Sequence, residues 1–298
     1  MLVDNFLNAI ISEGKSKNTI EAYTKDIKEF EEYFNKTKNI FLDLQNIKKI
    51  TRFDLDDYFR DLGEKLINAK LLSNSTRARK LSIIKSFFKY LVDTRIIREE
   101  ENVSERIKPP KKSKKLPIYL SIDESKKLIK NITDITNKTL IVFLLSTGLR
   151  ISELINIDIE HIKKDFSMTI TGKGDKERRI LLNSLCEEQL KEYIKERNKR
   201  VNEGELALFV SNKGSRMSIS NAQTHIKNEI KKILKRSDVS AHKLRHSFAT
   251  MQLKSGVDIK TLQKQMGHSD ISTTILYTHV DQDQTDEAFR KNPLSANR

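Results

Sequence analysis

Between Lys17 and Phe34, apolar side chains fall at Ile20, Tyr23, Ile27, Phe30 and Phe34. Steps of three and four place them on one helical face. Ser16 and Asn18 are the candidate N-caps, since a short hydroxyl or amide can accept a free backbone N–H at a helix start. A shorter helix is predicted over about 2–13. A third begins after Thr51 and carries Phe53, Leu55, Tyr58, Phe59 and Leu62. The fourth is STRARKLSIIKSFFKYLVD, with Leu81, Ile84, Phe87, Phe88 and Leu91 as its core stripe. Four amphipathic helices of this length predict a small bundle.

The pattern breaks at PPKKSKKLP, residues 109–117. Its three prolines forbid a continuous helix, and its four lysines repel one another into an extended form. The chain therefore divides into an N-terminal domain over 1–105, a basic linker over 106–118 and a second domain over 119–298. In the second domain, Ser121 stands three residues before Glu124, the spacing of a capping box that opens a helix. Another helix covers about 137–147 and stops at Gly148, followed by a short one from Ile151. FSMTITGKGDKERRILL alternates about Gly172-Lys173-Gly174, which predicts a β-hairpin. Helices are expected at about 184–200 and 219–235, with a short strand LALFV between them. Three or four short helices fill 240–291. The fold class is mainly α with a small antiparallel sheet.

Composition narrows the function classes. Of 298 residues, 37% are hydrophobic and 33% charged, which fits a globular chain. No apolar run approaches the ~20 residues of a membrane span. The N-terminus lacks the basic region of a signal peptide. The single cysteine, Cys186, excludes an internal disulfide and thiolate zinc pairs, and fits a reducing cytoplasm. The formal charge of +15 points to a polyanionic partner, nucleic acid above all. Both halves are positive, and the 109–115 seam is the most basic stretch. Arg77, Arg79, Lys80 and Lys85 on the fourth helix, with Lys111 and Lys112 of the linker, are the candidate DNA contacts.

Candidate chemistry centres on AHKLRHSFAT, residues 241–250. His242, Arg245 and His246 share one helical face, which suits either a metal or an anion. The spacing of the histidines is that of HExxH, but Lys243 replaces the glutamate, and the neighbouring cations repel a divalent ion. The anion reading is preferred, and His246 is read as packed in a helix interface. Arg150 follows the glycine that ends a helix, where a guanidinium can fork two donors onto a phosphate. Glu153, three residues on, can brace it. Lys173 at the hairpin tip, His268 beside Gly267, and Tyr277 each have a bland alternative as surface or packing residues.

In order, these pieces resemble the tyrosine recombinase (phage integrase) family. The likeness rests on LSTGLRISEL, TGKGDKERRI, SAHKLRHSFAT and MGHSDISTTILYTHV at their spacing. NTIEAYTKDIKEFEEYF and RARKLSIIKSFFKYL resemble the SAM-like core-binding domain that precedes the catalytic domain. The compact length is most like Xer-type recombinases, and small transposon and phage integrases resemble it nearly as well. The resemblance therefore implies either chromosome-dimer resolution or integration and excision of a mobile element.

The resemblance implies a C-shaped clamp around a double-stranded recombination site, and four protomers, either a homotetramer or a heterotetramer with a second recombinase. It implies that Arg150 and Arg245 grip the scissile phosphate, Glu153 braces Arg150, and His242 accepts a proton. Lys173 would protonate the leaving oxygen, His268 would contact the phosphate or help to seat Tyr277, and Tyr277 would be the nucleophile. The product would be a 3′-phosphotyrosyl enzyme, and two exchanges through a Holliday junction would complete recombination without a cofactor or metal. A C-terminal helix with Ala288 and Phe289 is expected to dock on a neighbouring protomer. Rival readings are a type IB topoisomerase-like relaxing enzyme and a DNA-binding relative that does not recombine.

Overall fold

The computed structural model describes residues 2–67, 69–110, 118–172 and 177–267. The chain forms two compact units, Met1–Lys115 and Leu116–Arg298.

In the first unit, α1 (Leu2–Ser12), α2 (Lys17–Lys38), α3 (Arg52–Glu64) and α4 (Asn74–Asp93) enclose one core. Ser16 caps α2 by accepting from the Thr19 N–H. Thr51 and Asp54 form a reciprocal capping box on α3. Ile27, Phe30, Leu55, Tyr58, Leu81, Ile84, Phe87 and Leu91 are each almost completely buried. The Phe30 and Tyr58 rings meet edge to face at 5.2 Å, the geometry that aromatic quadrupoles favour. Phe53 departs from the expected core and is 80% exposed. It lies two positions before Leu55, so the two cannot share a helical face. A short hairpin, β1 (Leu66–Ile67) and β2 (Lys70–Leu71), joins α3 to α4. The sequence pattern did not predict it.

The second unit is built around α6 (Ile135–Thr147), which is apolar almost all round and buried from Leu140 through Leu145. A helix of that kind belongs inside a core rather than on its surface. It packs against α8 (Ser184–Asn198), α9 (Ile219–Leu234) and α10 (Ala241–Lys254). The expected capping box of Ser121 and Glu124 opens α5 (Ile122–Asn131). Gly148 ends α6 with φ +63, and a Cβ there would lie 2.3 Å from the Phe248 ring. Glycine is thus needed twice over, for its backbone angle and for the close approach of α10. The chain turns immediately into α7 (Ile151–Ile155).

β3 (Ser167–Thr171) and β4 (Glu177–Leu181) pair antiparallel, with Ile170 opposite Arg178. LALFV is not a strand. Ala207–Val210 are buried while Leu206 is exposed, and the chain bends at Leu208 and Phe209. The partners are scattered: Ala207 bridges Asp158, Val210 bridges Arg216, and the Leu208 N–H donates to the Ile157 carbonyl. Among the described residues, no neighbour runs alongside long enough to make a ladder. α11 (Ile259–Met266) is capped by Asp258 and ends at Gly267, φ +62. No helix among the described residues is long and apolar enough to cross a membrane.

Candidate active site

The α6–α7 junction delivers the first site residues. Arg150 is the N-cap of α7, and its backbone N–H donates to Glu153 Oε2 at 2.8 Å. Its own guanidinium returns to Glu153 Oε1 through Nη1 at 2.8 Å. The expected brace of Arg150 by Glu153 is therefore present as a contact. Arg245, near the start of α10, is 2% exposed. Its Nη1 donates to the Gly148 carbonyl at 2.7 Å and lies 3.8 Å from Glu153 Oε2, while Nη2 donates to the Met266 carbonyl. Two carbonyls from helix ends thus hold this guanidinium beside Glu153 without neutralising it.

A third arginine joins them. Arg178 of β4 forks onto Glu153, with Nη2 at 2.6 Å from Oε2 and Nη1 at 3.2 Å from Oε1. Its Nε donates to the Gln265 carbonyl at 3.0 Å. Arg178 was not among the residues singled out from the sequence. Strand alternation carried the signal: residues two apart share a sheet face, so Arg178 sits on the face of buried Ile180.

Burial would raise the carboxyl of Glu153, but hydrogen bonds from Arg178 and from the Arg150 backbone outweigh it and hold its pKa below the ordinary value. One carboxylate thus serves three guanidinium groups, and the cluster keeps a surplus of positive charge. It borders a cleft of about 560 Å³ lined by Arg150, Glu153, Asn156, His161, Thr169 and Gly172.

His242 stands in the first turn of α10, three residues before Arg245 and on the same face. Partial desolvation, then the charges of Arg245, Lys243 and Arg150, hold its pKa below 6.5. The imidazole is therefore neutral, and able to accept a proton, at physiological pH. The His246 ring packs edge-on against it at 4.5 Å. Neither histidine belongs to a potential three-ligand group among the described residues. The one such group is Asp158, Glu160 and His161. There Arg216 already pairs with Asp158, and the Asp158 N–H donates to His161 Nδ1.

Lys173, His268, Tyr277, Lys111 and Lys112 lie outside the described residues. Of the expected DNA contacts on α4, Lys80 needs correction. It is 4% exposed and bonds Asp26 at 3.0 Å and Glu29 at 2.8 Å. Desolvating a cation is tolerated only with such partners, so Lys80 ties α4 to α2 and offers no charge to a phosphate. Arg79 contacts Asp26 as well, yet remains partly exposed. Arg77 donates to the Phe59 carbonyl at 3.3 Å, and Lys85 to the Glu105 carbonyl at 2.9 Å.

The comparisons agree with one another. The phage integrase family matches residues 119–284, and the phage integrase N-terminal SAM-like domain matches 3–95. Tyrosine recombinase XerC of Caldanaerobacter subterraneus subsp. tengcongensis is 37% identical, over 99% of this chain and 87% of its own length. Tyrosine recombinase XerD of Staphylococcus epidermidis is 33% identical, over 95% of each chain. A crystal structure of the XerH site-specific recombinase bound to a palindromic difH substrate aligns with TM-score 0.73 and 26% identity. The alignment covers 92% of this chain and 79% of that one. With one family match over more than half of its residues and a relative this similar along nearly all of them, the chain belongs to the phage integrase family and is a tyrosine recombinase, an enzyme of site-specific DNA recombination.

Proposed function

We propose that the cluster of Arg150, Glu153, Arg245 and His242 holds the scissile phosphodiester of a duplex recombination site, and that Tyr277 attacks it. The observation that carries this reading is the charge balance: three arginines around one carboxylate, with a neutral histidine beside them. A phosphodiester repels nucleophiles because it is already anionic, and its transition state carries more charge on its oxygens. Fixed cationic donors stabilise that charge, and losing one such donor typically costs about 10²–10³ in rate. Arginine suits the task because it stays protonated at any working pH.

Tyrosine, with a pKa of about 10, needs a proton acceptor and cationic surroundings to become a nucleophile. His242 supplies the acceptor. The Tyr277 oxygen forms the new P–O bond, the 5′-oxygen leaves, and Lys173 gives that oxygen its proton. His268 helps to hold the phosphate or to seat Tyr277. The strand end is stored as a 3′-phosphotyrosyl ester, so a 5′-hydroxyl from another duplex can reverse the step without external energy. Two such exchanges, through a Holliday junction, recombine the duplexes.

Near-full-length relatives named XerC and XerD support a Xer-type enzyme acting on a site in cytoplasmic DNA. It works as a tetramer, of one chain or with a second recombinase. Residues 1–105 bind the site, with partly exposed Arg79 as one contact, and the segment after Tyr277 docks on a neighbouring protomer. A nicked suicide duplex carrying the site should trap a covalent complex, and Tyr277→Phe should abolish it. Attachment of the Phe variant to DNA would contradict the assignment. Cleavage should survive chelation; loss in EDTA with recovery on adding zinc would return His242 and His246 to a metal role.

A further inference from the structure

Arg178 is bound more completely than a surface strand residue needs to be. Its side chain is 9% exposed, and all three of its nitrogens are hydrogen bonded: two on Glu153 of α7 and one on the Gln265 carbonyl near the end of α11. The Arg178 guanidinium also runs against Gly267, where a Cβ would fall 2.9 Å from Nη1. One side chain therefore joins the β3–β4 hairpin, α7 and α11 at the carboxylate that braces Arg150.

An ionised carboxylate has about four acceptor directions. Here Arg150 takes two, through its backbone N–H and Nη1, and Arg178 takes two, through Nη1 and Nη2. With Glu153 saturated in this way, Arg150 gives it only Nη1 of its guanidinium nitrogens among the described residues. Without Arg178, half of the carboxylate would be open. It would then draw on Arg150, and on Arg245 at 3.8 Å, and oppose the positive field of the cluster.

We propose that Arg178 is a positioning residue for DNA cleavage: by occupying Glu153, it leaves Arg150 and Arg245 oriented and charged toward the scissile phosphate. The inference rests on the recombinase reading above. It predicts a charge-specific defect. Replacing a non-bridging oxygen of the scissile phosphate with methyl gives a neutral phosphonate, whose transition state carries one negative charge fewer and depends less on the guanidinium pair. A general loss of folding slows both substrates alike, whereas a loss of phosphate grip slows only the diester.

The test is single-turnover covalent complex formation by the full chain on suicide duplexes with a diester or a methylphosphonate at the scissile position. Wild type, Arg178→Gln and Tyr277→Phe are compared. The diester-to-methylphosphonate rate ratio does not depend on the fraction of folded enzyme. For Arg178→Gln it should fall by about 10–100-fold, by analogy with the loss seen when a hydrogen-bond partner that orients a metal ligand is removed. If Arg178→Gln yields no folded protein, Arg178→Lys supplies the ratio. Lysine keeps the charge but cannot fork onto both oxygens, and a fall in the same direction is expected. An unchanged ratio, with wild type active and Tyr277→Phe inert, overturns the role of Arg178 alone. Failure of wild type to form the complex, or attachment of Tyr277→Phe, overturns the recombinase reading and this inference with it.

Discussion

At the scale of residues, the candidate site is governed by Glu153. Its carboxylate is what lets three guanidinium groups sit close together in one domain. Glu153→Gln keeps the shape and removes the charge. The arginines then repel one another without compensation, and cleavage should fall by about 10–100-fold, by analogy with removal of a hydrogen-bond partner that orients a metal ligand; the suicide-duplex assay reads this directly. As the proposed base, His242 should set the pH response. Its pKa lies below 6.5, so it is neutral above that range and becomes protonated as pH falls through the depressed value. Cleavage measured at limiting DNA, which reports the free enzyme, should be flat through neutral pH and decline on an acid limb below 6.5. An acid limb above that value would mean that another group is the base. Gly148→Ala should destabilise the chain by at least about 1–3 kcal/mol, because φ +63 is strained for any side chain and the Phe248 ring occupies the space; a lower urea midpoint checks this.

At the scale of elements, the stripes of α2 and α4 and the ends of α2, α3, α5 and α6 were legible because each is a local rule read within one or two turns. Ser16, Thr51, Ser121 and Gly148 all end or start helices in the structure. Features that depend on distant partners were not legible. LALFV has strand composition, but composition does not reveal whether a second strand lies alongside. Lys80 falls among basic residues that suggest a DNA face, and only the approach of Asp26 and Glu29 from α2 turns it inward. Lys80→Ala should therefore act on folding. Asp26 loses a buried partner, although Arg79 still pairs with it and Lys65 with Glu29. The cost should therefore fall below the about 3–5 kcal/mol of a fully uncompensated buried charge, read as an earlier unfolding transition of the N-terminal unit. A variant that keeps its stability but loses DNA affinity would restore Lys80 as a phosphate contact. Arg178 was missed for a related reason: strand alternation gives its face, but not the carboxylate that waits there.

At the scale of the whole molecule, both units carry net positive charge and the chain as a whole carries +15. Binding to duplex DNA should weaken steeply with salt, by about 0.9 log units per log unit of salt for each phosphate neutralised. A flat titration would mean that phosphate contacts are not the main source of affinity. The family was legible from ordered motifs spread over the entire chain, each carrying one of the residues proposed for the phosphoryl-transfer site. Which DNA sequence is read depends on base contacts that no single chain reveals. The central claim is that this charge cluster serves a tyrosine that joins covalently to a 3′ DNA end. It is tested most directly by trapping the complex on a suicide duplex, digesting both components and locating the linkage by mass spectrometry. A nucleotide remnant joined through its 3′-phosphate to Tyr277 is the predicted result. A linkage to another residue, or through a 5′-phosphate, would contradict it.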